Sequence, residues 1–159
     1  MERGTGRAQE LTLDVSSLPL LGWCEWLALP DLGLECIEAK IDTGARSSCL
    51  HAESWQLFQR HGTDWVRFHL RTQGTALHQA EAQISDRRAV RDSGGHVTER
   101  LFFVTRVRVG DAQFDIEMNL ANRRDLRYPM LLGRTALAGR YWVDAQQKYL
   151  LSHASRPET

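Results

Sequence analysis

Along residues 34–42, LECIEAKID, apolar and polar side chains alternate almost strictly. That is the period of a strand with one face on a core and the other in water. Upstream, GWCEWLAL (22–29) alternates more loosely and stops at Pro30-Asp31, a turn signal. The two stretches therefore read as a hairpin that delivers the chain to Asp42. WVRFHLRT (65–72) sets Val66, Phe68 and Leu70 against Arg67, His69 and Arg71, again a strand. The clearest hairpin is RLFFVTRVRVGDAQFDIEMNL (100–120), turning near Gly110-Asp111, with Phe114, Ile116, Met118 and Leu120 on one side of its second arm. ALHQAEAQI (76–84) fits strand or helix, and YPMLLG (128–133) is a short apolar strand. RTALAG (134–139) reads as one or two helical turns ended by Gly139. YWVDAQQKYLL (141–151) reads as a last hairpin or strand pair. The other helix candidate is HAESWQLFQRHG (51–62), where Trp55 and Phe58 stand three apart. Many short strands, few helices and no fixed-period repeat predict an all-β fold, a small closed barrel.

A chain of 159 residues is long enough to build its own core without metals or disulfides. The polar start and the closing ASRPET divide it into an arm (1–19), one domain (20–153) and a frayed tail (154–159). Twenty basic and twenty acidic residues cancel, so charge gives no case for nucleic acid or a membrane surface as partner. Local patches remain open, because the only lysines are Lys40 and Lys148 and arginine supplies the other cations. Cys24, Cys36 and Cys49 have no C-x-x-C spacing, which argues against a disulfide framework or a standard zinc site. No stretch near the start is apolar enough for a signal peptide or a membrane span, and the expected location is cytoplasmic. The tryptophans (23, 26, 55, 65, 142) are read as core and interface anchors. In a strand, Trp23 and Trp26 would face opposite sides.

Against this pattern KIDTGARSSCLHAE (40–53) stands out. A carboxylate straight after a strand, beside a hydroxyl and two tiny residues, is poor core material and crowded for a simple turn. Asp42 reads instead as one half of a catalytic pair. Two carboxylates about 3 Å apart cannot both ionise, so they share a proton; one then activates water while the other protonates the developing oxyanion or leaving amine. The chain holds a single D-T-G, so a working pair requires a homodimer with Asp42 contributed twice across a two-fold axis.

Asp42-Thr43-Gly44-Ala45 after a strand, followed roughly ninety residues later by Leu131-Leu132-Gly133-Arg134 entering a short helix, resembles the retropepsin-like aspartic proteases. The resemblance implies a closed acid-protease barrel with one or two short helices. It casts Asp42 as catalytic and Thr43, Gly44 and Ala45 as the active-site loop, with the Thr hydroxyl reaching the facing loop. Gly133 and Arg134 would brace that loop from beneath. Over residues 20–152 the chain is similar to a bacterial group of this class named ATP-dependent zinc proteases, often found with ATP-grasp enzymes that add glutamate to a ribosomal protein. That name finds no support in the residues: there is no G-x-x-x-x-G-K-[ST] and no H-E-x-x-H, so neither cofactor nor metal is expected.

Retropepsins commonly place an acid two positions after the Gly of D-T-G, paired with the Arg after the later Gly. Here Arg46 holds that position, so Arg134 would lose its partner and meet a like charge. Two readings stand open. Arg46 points outward or pairs with an acid such as Glu53 or Asp125, or it faces the cleft and binds acidic, glutamate-rich substrates. VRDSGGHVTER (90–100), with Gly94-Gly95, is the candidate substrate-covering flap, or else a mobile surface loop. Asn119, Asn122, Arg123 and Arg124 form either a polar cluster near the cleft or a solvated loop. Cys49 reads as buried packing and His51 as a helix-start or surface residue; a Cys49–His51 dyad is disfavoured because i and i+2 diverge on a helix. The leading expectation is a homodimeric aspartic endopeptidase. The competing classes are a catalytically silent peptide-binding module working with an ATP-grasp ligase and, more weakly, a zinc hydrolase.

Overall fold

A computed structural model describes residues 15–71, 76–122 and 127–151. Its first strand, β1 (Leu20–Gly22), is followed by β2 (Cys24–Leu29) and β3 (Leu34–Asp42), which pair as the expected antiparallel hairpin. On β3, Ile37, Ala39 and Ile41 are buried and Lys40 is exposed, as its alternation requires. β2 is buried at every position, because its outer face is covered too: Trp26 stacks on Tyr149.

β4 (Ser48–His51), β5 (Ser54–Arg60), β6 (Thr63–Leu70), β7 (His78–Gln83) and β8 (Asp86–Arg91) follow. The long hairpin β9 (Val97–Val109) and β10 (Ala112–Ala121) turns at Gly110-Asp111 as predicted. β11 (Met130–Gly133) runs straight into the one-turn helix α1 (Arg134–Leu137), and β12 (Trp142–Asp144) is the last strand among the described residues.

The strands close on themselves. Hydrogen bonding runs β10-β4-β11-β3-β2-β9, and β9 pairs back to β10, which completes a ring with β8 appended outside β9. The result is the expected all-β, retropepsin-like closed sheet. A separate three-stranded sheet, β5-β6-β7, lays Val66, Phe68, Ala80 and Ala82 into the same core, where Phe68 stacks on Phe103. Leu27, Leu29, Ile37, Leu50, Met118, Met130 and Leu132 fill the ring. Each such side chain contributes about 1.5–3 kcal/mol by leaving water.

Two sequence expectations fail here. Residues 51–62 are not a helix: β5 pairs in register with β6 through a two-residue turn, His61-Gly62, both with positive φ. That turn conformation suits paired strands, and His is an unusual residue to carry it. Residues 141–151 do not form a hairpin. β12 pairs parallel with β1, and the segment after it turns back along the barrel, where Trp23 N–H donates to Gln147 O and Tyr149 N–H to Cys24 O. Trp55 and Trp142 are exposed rather than core residues. Of the expected arm (1–19), residues 1–14 lie outside the described residues and Val15–Ser17 form a single 3-10 turn; the tail, 154–159, also lies outside them. No helix among those described is long and apolar enough to cross a membrane.

Candidate active site

β11 lies between β3 and β4, parallel to the first and antiparallel to the second. The chain leaving β3 must therefore cross over the end of β11 to enter β4. That crossing is the 42–48 loop, and its support follows from the crowding. Gly133 sits opposite Asp42 in the ladder. A Cβ on Gly133 would lie 2.5 Å from the carbonyl carbon of Ser47 and 2.9 Å from the nitrogen of Ser48, so only glycine fits. Gly133 N–H donates to Ser48 Oγ at 3.0 Å, inside the protein.

The helix start holds the rest of the loop. Arg134 N–H donates to Ala45 O at 2.6 Å, and Thr135 gives its N–H (3.0 Å) and its hydroxyl (2.9 Å) to Arg46 O. The Arg134 guanidinium donates to Thr43 O at 3.2 Å. Where an acid would pair with this arginine in a retropepsin, Arg134 has a backbone carbonyl as its partner. At the tip of β3, Asp42 Oδ1 accepts the N–H groups of Gly44 (3.0 Å) and Ala45 (3.2 Å). Those bonds orient a half-buried carboxylate, while Thr43 and Gly44 remain exposed beside it. Replacing Ser48 with Ala leaves the buried Gly133 N–H without its acceptor. The expected loss is about 1–3 kcal/mol, read as a fall in unfolding free energy by denaturant titration.

Asp42 opens onto a cleft of about 650 Å³ lined by four arginines, Arg46, Arg88, Arg91 and Arg100, together with Asp92. β8 and β9 supply the last three of these arginines. The tip of that hairpin is built by Asp92, whose Oδ1 accepts the N–H of Gly94 and of His96, both at 2.9 Å. Gly95, with φ of +82°, completes the turn. The flap candidate is thus the tip of the β8–β9 hairpin. Arg91, Asp92 and Ser93 line the cleft, and Gly94 and Gly95 do not.

Arg88 ties this hairpin to the loop. It makes two 2.7 Å bonds to Glu117, a 2.6 Å bond to Asp86, and lies over the Phe102 ring. Glu117 also accepts the Ser47 hydroxyl at 3.1 Å. The Arg88 bonds chiefly, with Ser47 and more weakly the nearby Arg46 charge, hold the Glu117 carboxyl below its ordinary value of 4.5. A depressed carboxyl stabilises the fold above its unfolded pKa, and that stability is lost as pH falls through the folded value. Unfolding free energy should therefore fall as pH drops below about 4.5, and Glu117→Gln should show a shallower fall in pH-dependent denaturation.

Of the partners considered for Arg46, Glu53 is taken by Arg71 at 3.0 Å and Asp125 lies outside the described residues. Arg46 itself is exposed and lines both the cleft and a smaller cavity with Asp115 and Glu117. Asn119 does line the cleft, whereas Asn122 donates to Glu53 O, and Arg123 and Arg124 are outside the described residues. Cys49 and His51 stand on a strand, where i and i+2 share a face, so divergence on a helix is not what separates them. Cys49 packs with Ala121 and Leu131. No group of three or more His, Cys, Asp or Glu suited to a metal ion occurs among the described residues.

The RimB-like family model, described as retropepsin-like aspartic endopeptidase RimB, matches residues 20–153. The chain belongs to the RimB-like family. The zinc-protease name suggested by the sequence resemblance does not appear in that description. Relatives of this RimB-like chain include a probable alpha-L-glutamate ligase of Shewanella halifaxensis, 32% identical over 87% of this chain and 31% of the relative. Another, from Parasynechococcus marenigrum, is 35% identical over 83% of this chain and 29% of its own length. The chain thus spans about 30% of the length of these ligases. Among solved structures it is similar to Lpg0085 of Legionella pneumophila, a protein of unknown function, with a TM-score of 0.72 and 28% identity over 84% of this chain and 98% of that one.

Proposed function

We propose that the protein is an aspartic endopeptidase that works as a homodimer and cuts acidic, glutamate-rich peptides. The observation that carries this reading is the braced loop: the Asp42 carboxylate is held by the N–H groups of Gly44 and Ala45, and the loop is pinned by Gly133, Arg134 and Thr135. Thr43 and Gly44 stay exposed in a single chain, available for a second loop to face them. In the dimer the two Asp42 carboxyls share one proton. The ionised one takes a proton from water as the water oxygen bonds to the scissile carbonyl carbon, and the protonated one gives its proton to the carbonyl oxygen. Return of a proton to the amide nitrogen then breaks the C–N bond. Thr43, Gly44 and Ala45 shape the loop, and the arginine-lined cleft favours acidic side chains.

The names of the ligase relatives fit the same substrate class. A peptidase for glutamate-rich chains would oppose or trim the product of a glutamate-adding, ATP-grasp enzyme, and such an enzyme is the proposed partner. A second reading, a silent module that holds the acidic peptide for that partner, is favoured by the arginine lining, which needs no second Asp42 to bind. Incubating the protein with α-linked oligoglutamate and following fragments by mass spectrometry separates the two. Cleavage that survives a chelator supports the peptidase. Binding without cleavage between pH 4 and 8 (roughly the range over which such dyads titrate) supports the silent module. Zinc-dependent cleavage would overturn both.

A further inference from the structure

Resting on that reading of the cleft, we propose that Arg100, positioned by Asn119, is the subsite that recognises a carboxylate side chain of the bound peptide. Arg100 is half-buried at the base of the hairpin and lines the cleft together with Asp42. Its Nη1 donates to Asn119 Oδ1 at 3.1 Å. Asn119 is only 4% exposed, and its Nδ2 donates to Ser48 O at 3.0 Å on the strand that follows the Asp42 loop. That second bond fixes the amide with its oxygen towards the guanidinium. The head group is therefore held in place by a neutral acceptor, which occupies one donor and cancels no charge.

Directly across the β8–β9 ladder from Arg100 stands Arg88, a like-charge pairing that strands disfavour. Arg88 is neutralised by Glu117 and Asp86. Arg60, Arg67, Arg71, Arg87 and Arg106 each have an acid as well. No salt bridge to Arg100 occurs among the described residues. Arg46, Arg91, Arg108, Arg127, Arg134 and Arg140 likewise show no salt bridge among the described residues, and what sets Arg100 apart is its half-burial in the cleft and its bond to the buried Asn119. A fixed, partly desolvated guanidinium with no carboxylate of its own is matched by a ligand carboxylate that takes its remaining donors in a bidentate fork. Arg46 and Arg91 are exposed, and Arg46 already lies near Glu117, so both are poorer candidates.

The test uses chains carrying Asp42→Asn, so that nothing is cut, and measures fluorescence anisotropy with labelled hexaglutamate and hexaglutamine. The parent should prefer hexaglutamate. Adding Arg100→Gln should weaken hexaglutamate binding by roughly tenfold or more and leave hexaglutamine unchanged. Arg100→Lys, which keeps the charge and loses the fork, should fall between. Arg106→Gln, a surface control, should match the parent. Preference that survives both Arg100 changes, or that disappears only with Arg46→Gln, overturns the assignment and leaves the peptidase reading standing. A parent that binds neither peptide also overturns it, and the peptidase reading then fails only if the native chain leaves oligoglutamate uncut.

Discussion

Asp42→Asn should abolish the proposed peptide hydrolysis while leaving the fold and the proposed dimer intact. The amide keeps an oxygen where Oδ1 now accepts the Gly44 and Ala45 N–H groups, so the loop has no reason to rearrange. What disappears is the acid–base chemistry, and it disappears from both halves of the site at once. General acid–base groups each contribute about 10²–10⁴ in rate, so a fall of at least roughly 10³ is expected. Mixing gives a sharper form of the same prediction. If each site is shared by two chains, an equal mixture of native and Asp42→Asn protomers retains roughly a quarter of the native activity after exchange, whereas independent sites retain about half. Linear loss across the mixing series would show that a single chain carries a complete site and would end the dimer proposal. Circular dichroism and sedimentation of the variant check that neither fold nor assembly has changed.

Gly133→Ala is the second large effect, and its origin is steric. The added methyl carbon would sit 2.5 Å from both the carbonyl carbon and oxygen of Ser47 and 2.9 Å from Ser48 N. Those are backbone atoms, with no rotamer to move aside. The loop cannot lift away cheaply either, because Ala45 O and Arg46 O are bonded to the first turn of α1. Overpacking of this kind costs about 1–3 kcal/mol and more when backbone must shift, so about 3 kcal/mol is expected. For a domain of this size that lowers Tm by roughly 6–12 °C. Activity should fall further than stability alone explains, since the displaced segment adjoins Asp42. A variant with native Tm would show that β11 does not pack beneath the loop as described.

The elements legible in the sequence are those whose pattern has one cause. β3 alternates because one face meets the core, and the β9–β10 hairpin adds a Gly-Asp turn to the same signal. Asp42 stood out by its place at the end of an alternating strand, whereas Gly133 and Arg134 came only from the likeness of LLGR to the retropepsin pattern. The crowding that admits only glycine at 133 is seen once Ser47 and Ser48 pass over it. β5 was not, because an edge strand with exposed Trp55 and Leu57 gives no alternation to read. Nor were the parallel pairings β4–β10 and β1–β12, which join residues far apart in the chain. The arginine-lined cleft was hidden for a related reason. Arg88 and Arg100 sit on stretches where scattered arginines look like a solvated face, and only the folding of β8 and β9 over the Asp42 loop places them in one cleft. Asp92, which builds the hairpin tip, was masked by the neighbouring glycines.

The brace beneath the Asp42 loop has a consequence for the order of events in the cell. Among the described residues, the hydrogen bonds that pin residues 43–46 from outside the loop come from residues 134 and 135, some ninety positions downstream. At about 5–20 residues per second, a ribosome needs roughly 5–20 s to make that stretch. During that interval Asp42 is already synthesised, and its loop has only the local bonds from the Gly44 and Ala45 N–H groups, without the brace from α1. Whatever the finished site does, a nascent chain cannot do it, so topology keeps the protein inert until its own synthesis has passed α1.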